Sequence, residues 1–132
     1  MKTKPLLTLD DAKRMAAAAE AEALKNNWNV VIAICDDGGH LLLLHRLDGV
    51  APISSAIAPA KARAAALGKR ETRMYEDAIN QGRTAFLSAP LDGMLEGGVP
   101  IVAEGYVAGA IGVSGLKPAE DSQVAKAGIA AL

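Results

Sequence analysis

Cysteine is nearly absent from this chain of 132 residues, Cys35 being its only one. A single thiol excludes an internal disulfide and any cysteine-based zinc cluster. Cys35 lies within an apolar run, so it reads as a small buried hydrophobe rather than a reactive thiol. Aromatic residues are almost as scarce: Trp28, Tyr75, Phe86 and Tyr106 are all there are. No stretch approaches the roughly 18 apolar residues of a membrane span. Residues 1–9 lack the apolar centre of a secretory signal. An excess of either charge is missing too, with 14 Lys and Arg against 15 Asp and Glu. That balance argues against general nucleic-acid binding, which needs a basic footprint. The absence of long like-charge blocks argues against disorder. The expectation is a cytoplasmic protein that engages neither nucleic acid nor membrane.

What the chain does have is alanine, 27 residues of it. Small apolar side chains let elements approach closely but supply few large core anchors. A domain of this length buries only about two-thirds of its unfolded surface. Self-association is therefore expected to add stability. One domain covering 1–132 is the reading that the length favours.

Thr8 followed by Asp11 resembles a capping box. Leu9, Ala12, Ala16, Ala19 and Ala23 then recur at helical steps, which predicts an amphipathic helix over about residues 9–25. Residues 30–35 (VVIAIC) read as a strand covered on both faces. Asp36-Asp37-Gly38-Gly39 predicts a tight turn into a second strand over 40–47, and this hairpin is placed at the heart of the sheet. Helices follow over about 55–68, capped by Ser54 or Ser55 and closed by Gly68, and over about 71–81. Pro59 is tolerable only near the first turn of the former. Residues 82–98 read as irregular. Residues 99–104 and 106–114 make a second hairpin, and a last helix occupies about 120–131. Two hairpins layered with helices predict an α+β fold with an antiparallel sheet.

The glycines of Gly109-x-x-Gly112-x-x-Gly115 do not match the dinucleotide fingerprint, whose first two glycines stand two apart. Within a strand they let a helix or neighbouring chain come close. Ser114 and Gly115 lie where that strand leaves the sheet, where backbone N–H groups could hold an anion. His45 and Arg46 point to opposite faces of their strand. Arg46 and Asp48 share a side, as a structural ion pair or as part of a site. His45 is a candidate metal or haem ligand, against hydrogen-bonded structure. His40, beside the turn, is expected to be exposed. In the basic run Lys61, Arg63, Lys69, Arg70 and Arg73, otherwise a solvated face, Lys61 is placed to converge with Arg46 on one carboxylate or pair of propionates. No Ser-His-Asp pattern, HExxH or P-loop is present.

Several segments together resemble the GlcG/HbpS family, which includes the C-terminal domain of PduO-type proteins. They are LTLDDAKRMAAAAEAEA, VVIAICDDGGHLLLLHRLDG, SSAIAPAKARAAA, GGVPI, EGYVAGAIGVSG and the pair Glu120-Asp121. The resemblance implies a profilin-like fold: a central antiparallel sheet with helices on both faces. It implies dimers that assemble into larger symmetric oligomers, and haem binding in some members. One branch of the family is linked to extracellular redox sensing. Others are encoded beside glycolate, diol or aromatic catabolic enzymes. The first expectation is thus a cytoplasmic homo-oligomer binding a small anionic ligand, with haem or a related tetrapyrrole foremost. Arg46 and Lys61 would neutralise propionates and His45 would meet the iron, with Asp48, Ser114, Gly115 and Asp121 completing the candidate site. The alternative is a cofactor-free enzyme or accessory subunit acting on a small hydroxy- or keto-acid. There Arg46 would hold the carboxylate and Asp48, Glu104 or Asp121 would accept a proton. A scaffold whose only role is assembly is the third reading.

Overall fold

A computed structural model describes residues 1–132. Helix α1 (Leu9–Lys25) begins as its sequence predicts. The Thr8 hydroxyl accepts a hydrogen bond from the Asp11 amide, and the Asp11 carboxylate accepts one from the Thr8 amide. Ala12, Met15, Ala16, Ala19 and Ala23 form its buried stripe. Strands β1 (Val31–Asp36) and β2 (Leu41–Arg46) make the first hairpin, and β3 (Gly98–Ala103) and β4 (Tyr106–Ser114) the second. Between them lie α2 (Ser54–Gly68), α3 (Thr72–Asn80) and a 3-10 segment, Thr84–Ser88; α4 (Pro118–Ile129) ends the chain. His40 stands outside β2 with an exposed side chain.

The sheet is antiparallel throughout, in the order β2-β1-β4-β3. The first hairpin therefore does not occupy its heart. Each hairpin contributes one inner strand, β1 pairing with β4 from Val31↔Ser114 to Asp36↔Gly109. β2 is left as an edge, with its residues only partly covered. The reason is chemical: β1 is apolar on both faces and needs a neighbour on each side, whereas β2 ends in His45 and Arg46.

Helices cover both faces of this sheet. Val30, Ile32, Ile34, Ile111 and Val113 pack with the stripe of α1 and with Val124 and Ala125 of α4. On the other face Val31, Ala33, Cys35 and Ala110 meet Ala58, Ala62 and Ala65 of α2. Burial pushes the Cys35 thiol up to about 12, so it stays protonated and inert. A Cβ on Gly112 would fall inside the α2 backbone at the Ala58 carbonyl and the Ala62 amide, so glycine is what admits that helix.

The ends of α2 differ from expectation. Neither Ser54 nor Ser55 caps it. Its N-cap is Ile53, with helical dihedrals and no side-chain bond, because the Ser54 and Ser55 amides bond to Ala51 and Pro52 in a preceding turn. Pro59 stands at the sixth residue of the helix, past the first turn, and α2 continues through it. Gly68 is the last helical residue, packed under the Tyr75 hydroxyl, and Lys69 takes the left-handed position at φ 56°. Beyond α3, Thr72 organises the irregular stretch. Its buried hydroxyl donates to the Leu95 carbonyl and accepts from the Gly98 amide at 2.8 Å. Thr72→Val strands that amide and is expected to cost about 1–3 kcal/mol, measured by chemical denaturation.

Candidate functional site

Lys61 projects from the middle of α2, on one face of the sheet, and Asp121 from the first turn of α4, on the other. They meet at the end of the sheet where β4 stops. The Lys61 ammonium donates to Asp121 Oδ2 at 3.0 Å and to the Val113 carbonyl at 2.9 Å. Asp121 Oδ1 accepts from the Leu116 amide at 3.1 Å. Each side chain is 4% exposed. Gly97, at φ 130°, makes the room, since a Cβ there would sit 2.8 Å from the Lys61 nitrogen. Alongside, Ser114 donates to Ser54 at 3.2 Å and Ser122 to Glu96 at 3.2 Å.

This buried pair ties the two helical layers together. Burial dominates the Asp121 carboxyl and raises it to about 6, against the pull of Lys61 and the Leu116 amide. An ordinary aspartate titrates near 3.8. Between those values the folded chain takes up a proton that the unfolded chain does not. The contribution of Asp121 to stability therefore grows as pH falls from about 6 toward 3.8. Asp121→Asn is expected to remove this slope, as read from urea unfolding across that range.

The two cations do not converge within the chain. Lys61 is internal and spoken for, whereas Arg46 is exposed at the end of edge strand β2. Arg46 and Asp48 form no ion pair with each other or with any other group, because both are exposed and Asp48 falls beyond the last paired residue of β2. The anion seat expected after Ser114 and Gly115 is occupied by the protein itself: Asp121 takes the Leu116 amide and Glu120 the Lys117 amide. Glu104 lies in the β3–β4 turn, at the far end of the sheet from Asp121.

His45 does face away from Arg46, as alternation requires. It pairs with Ile32 and turns toward α1, its Nδ1 lying 3.8 Å from Glu20 Oε2. The ring is 38% exposed. Glu20 carries no signal in the sequence, because only packing of α1 across β2 brings it there.

Two cavities complete the surface. One, of about 340 Å³, lies between α3 and the segment after it and is lined by Glu76, Ile79, Leu87, Met94 and Leu95 among others. The second, of about 470 Å³, lies at the turn end of the sheet and includes Lys4, Asp37, Lys69, Gly105 and Tyr106. Neither contains a residue of the sequence-derived site. No cluster of three or more metal-ligating side chains forms, and no helix is long and apolar enough to cross a membrane.

Comparison with known proteins agrees with this architecture. Protein GlcG of Escherichia coli K12 is 58% identical over 114 residues, covering 86% of this chain and 85% of that protein. The crystal structure of Klebsiella pneumoniae protein ORFY has a TM-score of 0.91 at 30% identity, covering 99% of this chain and 93% of that one. A double mutant of Streptomyces reticuli HbpS reaches 0.88 at 32% identity, with 100% and 90% covered. A PduOC complex with haem reaches 0.86 at 26% identity, with 97% and 96% covered. The family described as haem degrading protein HbpS-like matches residues 7–130, and by that match together with the GlcG identity the chain belongs to the HbpS-like family.

Proposed function

We propose that this chain is a cytoplasmic, oligomeric small-ligand-binding protein whose ligand is haem or a related tetrapyrrole. The observation that carries the reading is the likeness of nearly the whole chain to PduOC, seen in complex with haem. The residues present fit the group at one place, the free edge of β2. Glu20 Oε2 stands 3.8 Å from His45 Nδ1, so Nε2 is the ring nitrogen that would meet iron. Arg46, exposed and unpaired, suits a propionate. Because the two side chains leave opposite faces of an edge strand, one macrocycle reaches both only across that edge. Neither cavity of the single chain offers a histidine or an arginine, so a second copy would supply the remaining cover. Bound there, haem would supply a redox-active iron, and the protein its ligand, counter-charge and shelter from water.

Titration with ferric and ferrous haem tests this. A saturable Soret shift is expected for the native assembly, altered in position by His45→Ala and weakened about tenfold or more by Arg46→Ala. No Soret change in either oxidation state would overturn the reading. Light scattering showing a monomer would overturn the oligomeric part.

A further inference from the structure

The cavity at the turn end of the sheet lies opposite the His45–Arg46 end, and nothing in the haem reading uses it. Four separate pieces of chain build it: the N-terminal segment at Lys4, the β1–β2 turn at Asp37, the β3–β4 turn at Gly105 to Val107, and the C-terminal end of α2 at Ala66 and Lys69. Its volume, about 470 Å³, is that of a small-molecule site. Its charges are unequal in status. Lys4 and Asp37 are ion-paired to each other. Lys69 has no hydrogen-bond or ion-pair partner, so one cation is left unneutralised. The rest of the lining is Ala66, Gly105, Tyr106 and Val107.

Backbone strain gathers at the same place. Only three non-glycine residues hold left-handed dihedrals: Asn27, Lys69 and Glu104. Asparagine tolerates that region, but lysine and glutamate do so at a cost. Lys69 lines the cavity, and Glu104 shares with Gly105 the two-residue turn that walls it. At the end of α2 glycine would be the unstrained choice. The chain keeps a lysine there, on the cavity wall.

We propose that this cavity binds a small monocarboxylate with a short apolar tail, its carboxylate on the Lys69 ammonium and its tail against Ala66, Val107 and the Tyr106 ring. A single free cation matches a single negative charge, and the small apolar wall matches a short chain rather than a bare inorganic ion.

Amide NMR spectra of the full chain, titrated with sodium butyrate and separately with sodium phosphate at matched ionic strength, test the proposal. Saturable shifts confined to Ala66, Lys69, Gly105 and Val107 are expected with butyrate, and weaker ones with phosphate. Lys69→Gln should weaken butyrate about tenfold or more, and Lys69→Arg should retain it. Lys69→Gly should lose binding while melting higher than the parent, because it relieves the left-handed strain. Absent or scattered shifts, equal binding of phosphate, or undiminished binding by Lys69→Gln would each overturn it. None of these outcomes depends on haem.

Discussion

Lys61→Met is expected to destabilise the protein by about 3–5 kcal/mol at neutral pH, among the largest effects of any single substitution in this chain. The substitution keeps the apolar stem but removes the ammonium that faces Asp121. The carboxylate then stays buried with only the Leu116 amide to hold it, and the Val113 carbonyl loses its side-chain donor. Two comparisons give the expectation its shape. The cost should shrink as pH falls from neutral toward about 6 and level off below it, because without Lys61 the Asp121 carboxyl takes up its proton at a higher pH than in the parent. A double variant, Lys61→Met with Asp121→Leu, should recover much of the loss, since an apolar pair carries no unpaired charge. Urea unfolding of the parent, both single variants and the double variant measures the coupling directly. Single and double variants of equal stability would show that the pair contributes nothing specific. This outcome bears on function as well: a lysine whose removal acts through stability alone is a strut between helical layers, not a ligand for an outside anion.

Gly112→Val is expected to cost at least about 3 kcal/mol, and even Gly112→Ala should be felt strongly. The atoms that a new side chain would strike are backbone, the carbonyl of Ala58 and the amide nitrogen of Ala62, the latter at 2.5 Å from the first carbon. No rotamer change relieves a clash with a helix backbone, so α2 must lift from the sheet. Lifting it opens the Ala58–Ala62–Ala65 seam against Val31, Ala33 and Ala110. Gly128→Ala should be milder, about 1–2 kcal/mol, because its nearest neighbours, the end of Ile111 and the Met15 carbonyl, stand at 2.9 Å, against a much closer Ala58 carbonyl at Gly112. Thermal unfolding with far-ultraviolet dichroism ranks the three. Equal stability of Gly112→Ala and the parent would mean that α2 does not rest on β4 as described.

Alanine explains why both effects are large. An alanine stripe has no long side chains to flex, so distances between layers are set by backbone and Cβ atoms. Rigid contacts of this kind make the protein sensitive at glycines and at the one buried ion pair, and insensitive over its charged surface. Exposed pairs such as Arg73–Asp77 add only about 0.2–0.5 kcal/mol.

Local patterns foretell the elements because each rests on neighbours in sequence. The Thr8–Asp11 cap, the three-and-four spacing of Ala12 to Ala23, the Asp-Gly turn before β2 and the Glu104-Gly105 turn before β4 all act within a few residues. The same patterns misplace β2, because the partner that claims the far side of β1 is β4, about 75 residues on. They misplace the cap of α2 because a turn over residues 51–55 already takes the Ser54 and Ser55 amides, while the Ser54 hydroxyl meets Ser114, a contact remote in sequence. Lys61 stands out by its charge and Asp121 by its place in a familiar motif. Their pairing leaves no local trace, since α2 and α4 lie on opposite sides of the sheet and meet only past its end.

The amino-acid sequence by itself determined the α+β class, the two hairpins, the apolar faces of the helices and the family, because these follow from periodicity, turn chemistry and matching segments. Tertiary structure alone decided which charges face each other. It turned Lys61 inward to Asp121, put the strand of His45 and Arg46 at a free edge, and set Lys69 on a cavity built from four distant pieces of chain. The physical reason is that a side chain's environment depends on the layer across from it. In this protein that layer is always supplied by residues far away along the chain.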